Sequence, residues 1–130
     1  MTEVRSDDAP EPVGAYSQAV ESGGFLFISG QIGLDPVSGE LVEGLGEQAE
    51  RALSNLRAVL SAAGLSMTDV VKSTVYLKDM SDFGKVNEVY ARFFQPPYPA
   101  RAAVEVPGLP KGALVEIEAV AREGGEADGG

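Results

Sequence analysis

Arg101 and Glu116 are the residues with the most chemistry to offer. Arg101 follows Tyr98-Pro99-Ala100 at the start of a β-rich run, and Glu116 stands in the alternating run Leu114-Val115-Glu116-Ile117-Glu118. A guanidinium grips a carboxylate through paired N–H donors, each charge-assisted bond contributing roughly 1.5–3 kcal/mol. A carboxyl group partly buried among aliphatic side chains has a raised pKa, which suits it to general acid–base work. Such a pair would hold a small anion and move a proton on it. The residue types alone leave this open, because Arg101 is equally suited to a salt bridge with Glu105, Glu116 or Glu118. Glu118 reads as a solvated or paired strand-edge charge. Three further side chains are candidates. Tyr16 could pack over a small substrate or simply fill the core. Ser29 could donate a hydrogen bond at a strand end or shape the turn ahead of Gly30. Asn87 stands mid-helix, where its propensity is poor, either as a binding amide or as a surface one.

Other chemistry is excluded by what the 130 residues lack. There is no Cys and no His, so disulfides, thiol nucleophiles, Ser–His relays and zinc held by His or Cys are ruled out. No glycine loop sits at a strand–helix junction where it would cradle a phosphate, and Asp69, Asp79 and Asp82 lack EF-hand spacing. No metal or organic cofactor is expected. Lys plus Arg number 10 against 20 Asp plus Glu, a net charge of −10. That balance repels nucleic-acid phosphates and anionic membranes, so neither is expected as a partner. No run approaches the roughly 18 apolar residues of a bilayer span. Residues 2–12 are polar and Pro-punctuated, with no apolar signal core. A cytoplasmic protein is expected.

The elements that must position the candidates follow from periodicity. Residues 17–29 read as a hairpin turning at Ser22-Gly23-Gly24, and residues 34–39 as a turn-rich loop. Residues 47–63 carry apolar positions at the 3.6 period, with Gly64 suited to a left-handed helix end. Residues 70–78 alternate as a strand. Residues 82–94 form a second helix with Ser81 as N-cap, stopped by Pro96-Pro97. Residues 101–106 and 114–121 are two more strands. The order ββαβαββ implies an α+β layout, one sheet with two helices on one face. Residues 2–12 look loose, and residues 123–130 (EGGEADGG) read as a disordered acidic tail after a single domain over 1–122.

Alternation assigns the strand faces. One set is aliphatic: Leu26, Ile28, Val71, Val75, Leu77, Ala102, Val104, Val115, Ile117. It is expected beneath the helices. The other mixes Phe25, Phe27, Ser29, Tyr76, Arg101, Glu116 and Glu118. It is too apolar for open water and too polar for a dry core, which implies that a second copy of the chain covers it.

Taken in order, five segments resemble the RidA/YjgF family of imine deaminases: Gly14-Ala15-Tyr16-Ser17-Gln18, Ile28-Ser29-Gly30-Gln31-Ile32, Val86-Asn87-Glu88-Val89-Tyr90, Tyr98-Pro99-Ala100-Arg101 and Val115-Glu116-Ile117-Glu118-Ala119. The resemblance spans residues 10–122. It implies a chorismate-mutase-like α+β fold, assembled as a homotrimer with clefts between subunits. It further implies that Arg101 fixes a substrate carboxylate, that Glu116 activates water, that Tyr16, Ser29 and Asn87 line the cleft, and that Ala103 contributes through its backbone. The implied activity is hydrolysis of reactive 2-imino or 2-enamino acids (2-aminoacrylate, 2-iminopropanoate, 2-iminobutanoate) to 2-keto acids and ammonia, a form of metabolite damage control. Alternatives are a trimer that binds or senses a keto acid without turnover, and an RNA-directed inhibition of translation, which the charge disfavours. The chain departs from the family at Ala103, where many relatives have Cys, at Ala15, where Pro is common, and at Pro107. These changes bear on the preferred side chain more than on the reaction.

Overall fold

The structure, a computed structural model, describes residues 1–123. Eight elements make one sheet and two helices: β1 (Thr2–Val4), β2 (Ala19–Ser22), β3 (Phe25–Gln31), α1 (Leu45–Ala62), β4 (Val70–Leu77), α2 (Phe83–Phe93), β5 (Ala100–Glu105) and β6 (Val115–Arg122). The sheet order is β1-β2-β3-β6-β4-β5. Every ladder is antiparallel except β4–β5, which α2 joins as a parallel crossover. The expected mixed sheet with two helices is therefore present, with one strand more than the sequence pattern shows. No helix among the described residues is long and apolar enough to cross a membrane.

The extra strand is β1. Residues 2–12 carry no alternating apolar run, yet Thr2, Glu3 and Val4 pair with Glu21, Val20 and Ala19. The buried Gln18 amide ties down the segment after β1, accepting from Ser6 N at 2.6 Å and donating to Ser6 O at 3.1 Å and Pro10 O at 2.9 Å. These long-range bonds leave no mark in the local sequence. The hairpin turn falls on Gly23 (φ 62°) and Gly24 (φ 84°), the left-handed pair that a two-residue hairpin loop requires. The tail expected over 123–130 lies outside the described residues except for Glu123, whose amide donates to Gly24 O at 2.8 Å.

Helix α1 ends in a Schellman motif, with Gly64 N bonded to Ser61 O and Leu65 N to Leu60 O, both at 2.9 Å. It buries Leu53, Leu56, Val59 and Leu60 against the aliphatic face of the sheet. Two polar residues on it are also buried, and both brace loops at the ends of strands. Asn55 donates to Ile32 O at 3.2 Å and Leu34 O at 3.0 Å, and Gln48 Oε1 accepts from Leu114 N at 2.8 Å. Before α2 the expected N-cap at Ser81 is displaced. A 3₁₀ turn (Met80–Asp82) precedes the helix, and Asp79 caps it by accepting from Ser81 N at 2.9 Å.

The aliphatic face lies beneath the helices at Leu26, Ile28, Val75, Leu77, Val115 and Ile117, all buried. Two assignments change. A bulge between Val70 and Lys72 turns Val71 outward, 43% exposed, and puts Val70 in the core. The faces of β5 are reversed. Its parallel register sets Arg101 level with Ser73, Ala103 with Val75 and Glu105 with Leu77, on the helix side, while Ala102 and Val104 share the open side with Thr74 and Tyr76. Because β5 is an edge strand, its helix side runs past the flank of α2 instead of beneath the core. A polar set is solvated there, and the aliphatic Val104 is 41% exposed on the other side.

Candidate functional site

Glu116 projects from the open face of β6 beside β3, where the ladder is interrupted between Ile28 and Gln31. The interruption places Gly30 under the carboxyl group. A Cβ on Gly30 would stand 2.4 Å from Glu116 Oε2 and 2.8 Å from its Cδ, so only glycine lets the side chain lie where it does. Ser29 is fixed from both ends, its amide donating to Gln18 O at 2.9 Å and its hydroxyl to Ser17 O at 2.6 Å. Tyr16 is 50% exposed, held in its loop by bonds from its own amide to Gly14 O and from Val13 N to its hydroxyl. Tyr16, Ser29, Gly30, Ile32, Leu34 and Glu116 share the lining of a cleft of about 450 Å³. Burial, and next the negative charge of Glu118, hold the Glu116 carboxyl above its usual pKa. A carboxyl so placed keeps a proton to higher pH than an exposed one, and can take a proton and give it back.

Arg101 lies elsewhere. At the start of β5 its Nη1 donates to Asn87 Oδ1 at 2.8 Å, and its guanidinium sits 4.7 Å from the Tyr90 ring centre and 5.1 Å from that of Phe83. Tyr90 is locked in turn, stacked on Phe94 with centroids 4.4 Å apart and sharing a 2.6 Å hydrogen bond with Ser73. Burial raises the Tyr90 pKa, while the Ser73 bond and the Arg101 charge oppose the rise. Ring faces orient a guanidinium without neutralising it. The salt bridges open to Arg101 from sequence are not made. Glu105 accepts from Met80 N at 2.7 Å instead, Glu116 and Glu118 project from the other face, and the salt bridge found among the described residues is Arg5–Glu11. Arg101, Asn87, Tyr90, Tyr98 and Pro99 line a second cavity of about 370 Å³.

Five of the expected site residues thus fall into two groups, Tyr16–Ser29–Glu116 and Asn87–Arg101. The groups lie on opposite faces of one sheet with β4 between their strands. The expectation that Arg101 and Glu116 share a face on neighbouring strands is overturned by the β5 register. Ala103, the sixth, is half-buried on β5. Val106 N donates inward to Leu77 O at 2.8 Å, and strand backbone groups alternate, so Ala103 directs its carbonyl to the free sheet edge. The residue patterns missed Gly30, Phe83 and Tyr90. Phe83 and Tyr90 stand four before and three after Asn87, the spacing that stacks side chains on one helix stripe, which could have marked them. Among the described residues no group of three or more acidic side chains converges as metal ligands would.

Known proteins share this outline. The family model described as Endoribonuclease L-PSP matches residues 6–123. The chain is 56% identical over 117 residues to a RutC family protein of Pyrococcus horikoshii, covering 89% of this chain and 93% of that protein. It is 52% identical over 122 residues to the rat 2-iminobutanoate/2-iminopropanoate deaminase, covering 93% of this chain and 89% of the relative. The crystal structure of Escherichia coli TdcF with bound serine superposes with a TM-score of 0.91 at 41% identity, covering 95% of this chain and 99% of that one.

Proposed function

The chain belongs to the endoribonuclease L-PSP family, the RidA/YjgF family of its motifs, and on that premise we propose that it hydrolyses reactive 2-imino and 2-enamino acids to 2-keto acids and ammonia in a cleft shared by two copies of itself. One observation carries this reading: Arg101 and Glu116 stand on opposite faces of their own sheet, each in a partly built cavity. No side-chain motion brings an anchor and a base together across an intact sheet. A second copy can, by setting its α2–β5 flank against the open face of the first. Such a contact joins two different surfaces and repeats head to tail, which gives a ring when the rotation between copies closes. Three copies give the homotrimer, and the same contact covers Phe25 and Phe27, 37% and 45% exposed on one chain.

In the assembled cleft Arg101 of one copy binds the substrate carboxylate. Glu116 of the other takes a proton from a water whose oxygen attacks C2 of the C=N bond, with the Ala103 carbonyl helping to place that water. Glu116 returns that proton to the nitrogen to complete the carbinolamine, then takes the proton of the C2 hydroxyl and passes it to the nitrogen as the C–N bond breaks, so that the keto group forms and ammonia leaves. An enamine first takes a proton at C3 to become the imine. Nothing is oxidised or reduced. Imines already hydrolyse in water, so positioning and proton transfer suffice. The relative named as a deaminase and the serine bound by TdcF, itself a 2-amino acid with its nitrogen next to a carboxylate, support this substrate class. The protein would act in the cytoplasm on small molecules, without nucleic acid or membrane.

The test couples an amino-acid oxidase or dehydratase to the protein and follows imine decay against semicarbazide. Arg101→Ala and Glu116→Ala should each abolish acceleration with the oligomer intact. Mixing the two after dissociation and reassembly should restore about a quarter of the sites in a randomly mixed ring, because each site draws one residue from each neighbour. No acceleration over buffer by the native protein would sink the enzyme reading and leave a metabolite-binding trimer. A monomer in sedimentation would sink the shared site.

A further inference from the structure

Strand β6 sets a second carboxylate beside the first. Glu116 and Glu118 point to the same open face two residues apart, about 7 Å between Cα atoms at ordinary strand rise, and both line the same cleft. Glu116 is half-buried over Gly30 and Glu118 is exposed. In the β4–β6 ladder Tyr76 stands opposite Glu116 and Thr74 opposite Glu118. The Tyr76 hydroxyl feels both carboxylates, its pKa raised first by burial and then by Glu118 and Glu116. Within its own chain the surroundings of Glu116 offer little to offset this. Strand β3 presents Ser29 and Gly30, which carry no charge. The loops contribute Tyr16, Glu11, which is paired with Arg5, and Lys111, the one cation among the described residues of that lining. The chain's own Arg101 lies on the other face, and the guanidinium that a second copy brings into the proposed cleft is engaged by the substrate carboxylate.

Two carboxylates in one recess resist holding two negative charges, and the more buried one keeps its proton to higher pH. The proposed reaction needs such a group, since one carboxyl must both accept a proton from water and deliver one to the departing amine. We propose that Glu118 is a positioning residue for Glu116: from two places along the same strand face, its negative charge keeps a proton within reach of Glu116, so that one carboxyl serves as base and then as acid. This deepens the imine-hydrolase reading and rests on it for its chemistry. Glu118 itself touches no reacting atom.

The experiment compares the native chain with Glu118→Gln, which keeps the shape and removes the charge, and Glu118→Asp, which keeps the charge. One readout is the pH dependence of kcat/KM for imine hydrolysis. The other is ¹³C NMR titration of glutamate carboxyls, with the Glu116 signal assigned from Glu116→Gln. In Glu118→Gln the Glu116 midpoint and the ascending limb of kcat/KM should both move to lower pH, by about half a unit or more. Glu118→Asp should hold the native limb. An unmoved Glu116 midpoint overturns the proposal, as does a uniform loss of amplitude with the limb in place, the mark of a merely structural role. If the native chain turns over no imine, the proposed function fails by itself, and the NMR titration still decides whether Glu118 governs Glu116.

Discussion

Gly30→Ala is the sharpest perturbation of the cleft, because the structure fixes its size. The added Cβ would sit 2.4 Å from Glu116 Oε2, 2.8 Å from Cδ and 3.0 Å from Cγ. Ordinary contacts between such atoms lie near 3.5–4.0 Å, so the carboxyl must shift by about 1 Å. The backbone has no objection, since Gly30 is not among the positive-φ glycines. Alanine there restricts the unfolded chain, a gain of about 0.4–1 kcal/mol, which an off-rotamer Glu116 offsets by a similar amount. Stability should therefore change by less than about 1 kcal/mol. Activity should not be spared. A misplacement of about 1 Å costs on the order of 10²-fold in rate, or about 2.7 kcal/mol of barrier. KM, which the proposed function assigns largely to Arg101 of a second copy, should hardly move. The assay is imine decay under semicarbazide competition, with thermal unfolding and sedimentation on the same samples. Native kcat in a well-folded, correctly assembled Gly30→Ala protein would refute the idea that Glu116 acts from where it lies.

Two other changes probe the pKa of Glu116 and the end of α1. Burial, and then Glu118, raise the Glu116 pKa, so the folded chain holds this proton more tightly than the unfolded one. The contribution of Glu116 to stability is complete below the ordinary glutamate pKa and is lost as pH rises through the raised value. Glu116→Gln should therefore gain on the native chain in thermal unfolding between about pH 4 and pH 8, and an equal difference at both would contradict the raised pKa. Gly64→Ala meets no atom within 4 Å but must hold φ near 76° at the end of α1. The strain, about 1 kcal/mol, should lower the unfolding midpoint by roughly 3–5 °C and leave imine turnover unchanged.

Helices α1 and α2, the Gly23–Gly24 hairpin and β6 are legible in the sequence because each announces itself within a dozen residues. The helices have a 3.6 period and the strands a period of two, with glycine where a left-handed backbone is needed. The misreadings share one cause: the deciding partner is far away in sequence or hidden in local geometry. Thr2–Val4 becomes a strand because β2 offers it an edge and Gln18 anchors the following turn. Ser81 loses the cap because Asp79 reaches its amide first. Val71 turns outward at a bulge that no spacing announces. Gly30 reads as turn punctuation, and its purpose appears only when the Glu116 carboxyl is seen lying on it.

The reversal at β5 has the largest consequence. Alternation fixes which strand residues go together but not which set goes inward, since a shift of one residue exchanges them all. The aliphatic set of β5 is the natural choice for the core, and on a central strand it would be right. An edge strand escapes that logic. The helix side of β5 meets the flank of α2, where a guanidinium over Tyr90 and Phe83 is better placed than valine. Had Arg101 and Glu116 shared a face, one chain could have held a whole site and a partner would only have covered it. On opposite faces neither residue can complete the other within a chain. The proposed second copy, which the exposed Phe25 and Phe27 also suggest, would then be required by the chemistry of the proposed Arg101–Glu116 pair. Loss of assembly is accordingly expected to remove activity outright, even with both half-sites folded.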